Sequence, residues 1–122
     1  EDQALFPIYW GINPKARLMT LDTLRLSTET YSLSDQTKLR YNVDVEIQYP
    51  DMDAVGKMVK EKGKNFFYQG RANRESCCEV RKVEPLGRAL TTLNAWVTGL
   101  RRDQGMERGS IDIVAWDAAH NN

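Results

Sequence analysis

The sequence predicts an α/β fold built on a doubly wound, mainly parallel sheet. Strand-like stretches alternate with longer helix-like ones along its 122 residues. No Gly-, Ser- or Pro-rich linker divides the chain, and it contains no repeat or low-complexity tract. Its length allows one modest domain with a single core.

Residues 2–10 (DQALFPIYW) are apolar and helix-like but interrupted by Pro7. Asn13-Pro14 marks a turn, after which 16–21 (ARLMTL) reads as a buried strand ending at Asp22-Thr23. Residues 28–41 read as a helix whose Tyr31, Gln36 and Leu39 form only a weak stripe. Residues 43–49 alternate Val43, Val45, Ile47 and Tyr49, the period of a half-buried strand. Pro50-Asp51 opens a helix carrying Met52, Val55, Met58 and Val59 on one face, and Gly63 closes it. The basic and aromatic stretch 64–76 (KNFFYQGRANRES) reads as irregular. A helix is expected from about Cys77, with Pro85 kinking it or opening a new turn. Residues 95–100 (AWVTGL) and 111–116 read as third and fourth strands. Strands separated by helices of this length imply βαβ units, and ligands of such sheets bind beyond the carboxyl ends of the strands. The stretches expected there are LDTLR (21–25) and TGLRRDQ (98–104), both unusually polar.

Lys plus Arg and Asp plus Glu each number 17, so the formal net charge is zero. That balance offers no general attraction to nucleic acid or anionic lipid, although basic residues cluster after residue 70. Hydrophobic residues at 41% and charged ones at 28% indicate a globular chain. No apolar run approaches the roughly 20 residues of a membrane helix. Glu1-Asp2-Gln3 lacks the basic and apolar regions of a signal peptide, so a soluble intracellular domain is expected. The two cysteines, Cys77 and Cys78, are adjacent. Neighbouring Cα atoms lie about 3.8 Å apart, whereas disulfides prefer about 4.4–6.8 Å. The pair is therefore expected as free thiols or as ligands.

Cys77-Cys78-Glu79-Val80-Arg81-Lys82 is the most informative stretch. In a helix, Cys78 and Lys82 share a face, as do Cys77 and Arg81. Cations beside thiols favour the thiolate, the metal-ligating and nucleophilic form. The alternative is two small residues in a half-buried helix with a solvated basic face. Arg101 and Arg102 after a strand could clamp an anion, or Arg102 could pair with Asp103 in a surface turn. Asp22, Thr23 and Arg25 could form a site or simply a turn cap. His120, the single histidine, reads as a tail residue. The chain has no GxSxG elbow, no GxGxxG and no GxxxxGK[ST]. It also offers too few ligands for zinc.

LDTLRLSTETY (21–31), CCEVRKVEPLGRAL (77–90) and AWVTGLRRDQ (95–104) together closely resemble the assimilatory adenylyl-sulfate (APS) and phosphoadenylyl-sulfate (PAPS) reductases. The likeness runs in order through about residues 1–117, including EDQAL, KEKG (60–63) and the closing Trp116-Asp117. The double cysteine favours the iron–sulfur branch, which uses APS. The resemblance implies the Rossmann-like fold of adenine-nucleotide alpha-hydrolases and a two-electron reduction of APS to sulfite and AMP. It implies a 4Fe-4S cluster held by four cysteines, of which Cys77 and Cys78 would be two. It implies that Lys82 lies between cluster and sulfate, that Thr23 lies near the cluster, and that Arg108 matches the arginine after the RDQ loop. Leu21 and Gly99 would border the adenosine, and Arg101 and Arg102 would add cations for the anionic anhydride. Thioredoxin or a glutaredoxin-like domain would supply thiol electrons. The location implied is cytoplasmic, or plastid in a plant or alga, and a homo-oligomer is left open.

The chain departs from the family pattern at several places. Neither the family's Ser/Gly-rich phosphate loop nor its CxxC pair and nucleophilic cysteine is present, so no catalytic residue is expected here. The expectation is a partial catalytic domain over 1–117 with a tail at 118–122. Where the family has Asp-Thr-Gly-Arg, this chain has Asp22-Thr23-Leu24-Arg25; a Cβ there narrows the nucleotide's space or strains a positive φ. Gly105-Met106 stands in place of Ser-Pro. These departures support a non-catalytic nucleotide-binding module as the alternative. A cluster-free PAPS reductase is a third reading.

Overall fold

The computed structural model describes residues 11–13, 15–99 and 112–120. The chain divides into two compact units, one of residues 17–89 and the other of residues 1–16 with 90–122.

In the first unit, strand β1 (Leu18–Leu21) leads to helix α1 (Thr28–Tyr41) and then strand β2 (Val45–Gln48). The strands pair in parallel, with Leu18 opposite Val45 and Leu21 opposite Gln48. The Asp22 N–H donates to the Gln48 carbonyl at 3.0 Å, carrying the ladder one residue past the strand. This is a βαβ unit, as the alternation of patterns predicts. α1 has no continuous apolar face and buries no residue, and Asn42 ends it at φ 49°. β1 is shorter than 16–21 because Ala16 closes a turn onto the Asn13 carbonyl at 3.0 Å.

Helix α2 (Met52–Lys62) has its caps where the sequence puts them. The Asp51 carboxylate accepts from the Ala54 N–H at 2.7 Å, and the N–H of Gly63, at φ 87°, donates to the Val59 carbonyl. Val55 and Met58 are buried and Val59 is half-buried, but Met52, in the first turn, is exposed. A 3₁₀ turn (Phe66–Gln69) follows, with Phe66 buried. Helix α3 (Arg71–Cys78), a π turn (Glu79–Val83) and helix α4 (Glu84–Leu90) then run on continuously. The helix therefore starts six residues before the expected Cys77. Its first turn carries an Arg71–Glu75 ion pair at 2.7 Å, a local support that the apolar pattern does not reveal. Pro85 neither breaks nor simply kinks the helix. It has no N–H for the Arg81 carbonyl and its ring crowds that oxygen, and the widened π turn just ahead accommodates both. Arg88 donates to the Tyr49 carbonyl at 2.7 Å, tying α4 to the end of β2.

Two expected strands are corrected. Residues 95–99 and 112–116, the described parts of 95–100 and 111–116, are not strands. Ile113 is 98% exposed, and Val97, Val114 and Trp116 are exposed too. A short apolar run becomes a strand only when a partner edge pairs its backbone and covers one face, and periodicity alone cannot show that. In the same unit, Asp117 accepts from the Trp96 indole at 3.2 Å and from the Ala119 N–H at 3.1 Å. Among the described residues no helix is long and apolar enough to cross a membrane.

Candidate functional site

The carboxyl end of β1 is a tightly tied turn. Asp22 and Thr23 are buried directly after the strand. The Asp22 carboxylate accepts the Leu24 N–H at 2.7 Å, and the Tyr31 hydroxyl donates to it at 3.0 Å. Leu24 stands at φ 61°, the left-handed region that glycine enters freely. For an L-residue that conformation costs about 1–2 kcal/mol. The Asp22 bond to its N–H, the local turn that Asp forms two residues on, offsets part of the cost. Because Tyr31 donates to a carboxylate, its phenol is held above the usual tyrosine range.

The cysteine-bearing turn faces this one. Cys77 is half-buried, Cys78 is exposed, and neither is in a disulfide. Arg81 is buried at 7% exposure while Lys82 is exposed. The inner face therefore carries Cys77 and Arg81 and the outer face Cys78 and Lys82, the pairing that spacing four predicts. Arg81 Nη1 donates to the Thr23 carbonyl at 2.6 Å across 58 positions of sequence. Its Nε is buried with no hydrogen-bond partner, and among the described residues Arg81 has no ion pair. Lys62 Nζ donates to Ser76 Oγ at 2.9 Å, anchoring α3 just before the cysteines.

Between β1's end and α2 lies an open depression of about 540 Å³. Leu24, Leu26, Val55 and Val59 supply its apolar lining, and Arg25, Lys64 and Arg81 its cations. Arg25 is itself fixed: it donates to the Lys64 carbonyl at 2.7 Å and to Asn65 Oδ1 at 3.0 Å, and stacks 4.7 Å from the Phe67 ring centroid. An anion bearing an apolar part suits such a lining.

Of the residues expected at a site, Leu21, Thr23, Cys77, Cys78 and Lys82 lie in the 17–89 unit, and Arg81 links their two segments. Gly99 is half-buried in the other unit. Arg101, Arg102 and Arg108 lie outside the described residues. Sequence reasoning paired Arg81 with Cys77 but missed its contact with Thr23, which no local pattern encodes. It also missed Val55, Val59 and Lys64 as lining. The first two could have been found from their i,i+4 spacing on an apolar face. Among the described residues no three His, Cys, Asp or Glu side chains gather as a metal site. His120 is corrected: it is half-buried, and its Nδ1 lies 2.8 Å from Asp117 Oδ2 rather than in a loose tail. That contact with His120 holds the Asp117 carboxyl below the usual range.

A family model described as the phosphoadenosine phosphosulfate reductase domain matches residues 1–122. The chain is 41% identical over 120 residues to an adenosine 5'-phosphosulfate reductase of Allochromatium vinosum, covering 98% of this chain and 47% of the relative. It is 45% identical over 102 residues to one of Burkholderia cepacia, covering 84% and 41%. It is 42% identical over 118 residues to a protein of Oryza sativa subsp. japonica named probable 5'-adenylylsulfate reductase 1, chloroplastic, covering 96% and 24%. The chain thus spans less than half the length of these relatives.

Proposed function

The chain belongs to the phosphoadenosine phosphosulfate reductase domain family, and from this we propose that it is part of an adenylyl-sulfate reductase of sulfate assimilation. The reaction converts adenylyl sulfate to sulfite and AMP with electrons from thiols. A cysteine elsewhere in the protein bonds to the sulfur as the sulfur–oxygen bond to AMP breaks. A second thiol, from thioredoxin or a glutaredoxin-like domain, then frees sulfite as a disulfide forms. Cytoplasm is the compartment proposed, or the plastid in a plant or alga.

The observation that carries this reading is the buried Arg81 guanidinium, with no ion pair among the described residues, which joins the segment of two unbridged thiols to the carboxyl end of a parallel strand. A buried guanidinium without a counter-ion is costly, so an anionic group is wanted there. One half-buried and one exposed thiol, adjacent at a helix end, fit half of a four-thiolate set for a 4Fe-4S cluster. When bound, such a cluster supplies iron and a compact anionic charge beside the substrate. Lys82 and Arg25 would balance the sulfate and phosphate charges, together with Arg101, Arg102 and Arg108. Leu21, Thr23 and Gly99 would border the nucleotide.

Leu24 favours a second reading. Its backbone is left-handed and its exposed side chain lines the depression, where a glycine would leave more room for a nucleotide. On that reading the domain binds nucleotide without chemistry. Sulfite release by the full-length protein, with APS and PAPS compared and a dithiol as donor, decides between them. The proposal expects sulfite from APS in preference to PAPS. No sulfite from either supports the binding module, and a preference for PAPS supports the cluster-free reductase.

A further inference from the structure

The β1-end turn and the cysteine-bearing turn are linked by a buried contact through one side chain. Arg81 sits inside the π turn, three residues after Cys78, and its guanidinium donates to the Thr23 carbonyl at 2.6 Å. A guanidinium donor to a backbone carbonyl is a charge-assisted bond, and burial shields it from competing water. The acceptor is main chain, so the bond fixes the path of the turn rather than a rotamer. It holds that turn immediately before Leu24, whose N–H is held by Asp22.

Resting on the reductase reading above, we propose that Arg81 is a positioning residue: through the Thr23 carbonyl it sets the separation between the Cys77-Cys78 pair and the β1-end turn, and with it the placement of Lys82 and Thr23 against substrate. Lysine at 81 keeps the charge and one donor but loses the planar fork, so it restores the contact only in part.

The test uses the full-length protein with Arg81→Met and Arg81→Lys. In Arg81→Met, hydrogen exchange of the amides at 23–26 becomes about tenfold faster, while those of β2 and α2 keep their rates. Arg81→Lys recovers part of that protection. In steady-state sulfite release, Arg81→Lys lowers kcat about tenfold and leaves KM for APS within about threefold, the signature of lost alignment rather than lost binding. Unchanged exchange at 23–26, or a uniform rise across the whole chain, overturns the positioning role. So does an unchanged kcat in Arg81→Lys. The exchange measurement needs no turnover. A wild-type protein that makes no sulfite but shows the localised effect therefore defeats the reductase reading and leaves the tie between the turns standing.

Discussion

The β1-end turn and the cysteine-bearing turn both depart from regular backbone, but they are held in different ways. The first holds a non-glycine residue at φ 61° and is secured mainly by its neighbours in sequence, Asp22 to Leu24 and Tyr31 to Asp22. The second is the end of α3 with the π turn that follows it ahead of Pro85, and Arg81 joins it to Thr23, 58 positions away. Local ties make a turn whose substitutions are felt as stability. In the second, Cys78 and Lys82 stay at the surface, where substitutions should cost little stability.

The largest expected effect lies on the cysteine side. On the proposed reductase reading, Lys82→Ala in the full-length enzyme should lower sulfite production about 100-fold, because that reading gives Lys82 the role of a cation for the sulfate. Its urea midpoint should stay close to wild type, because Lys82 is exposed. Equal losses of activity and stability would erase the contrast between the turns. On the β1 side, Asp22→Ala strands the Leu24 N–H and the Tyr31 hydroxyl, and unfolding free energy should fall by about 2 kcal/mol in denaturant titrations. A smaller and opposite change is expected for Leu24→Gly, a gain of about 1 kcal/mol from relief of the left-handed conformation. A loss of stability there would mean that the leucine side chain contributes more than its backbone costs.

Tyr31→Phe should give the smallest effect and an alkaline signature. The tyrosine's folded value is raised by its bond to the Asp22 carboxylate. A raised value means that its stabilisation is complete below the ordinary phenol range and is lost as pH climbs through the folded value. Wild type should therefore lose stability above about pH 10 more steeply than Tyr31→Phe. Parallel alkaline profiles would remove Tyr31 from the ties of the β1 turn.

What could be seen in the sequence follows the same division between local and distant. α1 over 28–41 and α2 with its Asp51 and Gly63 caps were legible because their signals lie within a few residues of each other. The inner and outer faces around the cysteines followed from spacing four. The positive φ at Leu24 was foreshadowed by the resemblance, which implies Asp-Thr-Gly-Arg where this chain has Asp22-Thr23-Leu24-Arg25. The Arg81–Thr23 contact was hidden because it joins segments that only tertiary structure brings together. The apolar runs at 95–100 and 111–116 misled because strand formation depends on a partner edge. His120 misled because its nearness to the end of the sequence outweighed the Asp117 three positions before it, onto which the imidazole folds back.

The central claim, that the cysteine turn holds an inorganic cluster facing β1's end, is tested most directly by iron analysis and visible absorbance of anaerobically purified full-length protein. The account predicts a brown protein absorbing near about 400 nm with about four irons per chain. It also predicts loss of both signals in Cys77→Ser and Cys78→Ser. A colourless wild-type protein, or serine variants that keep their iron, would contradict it.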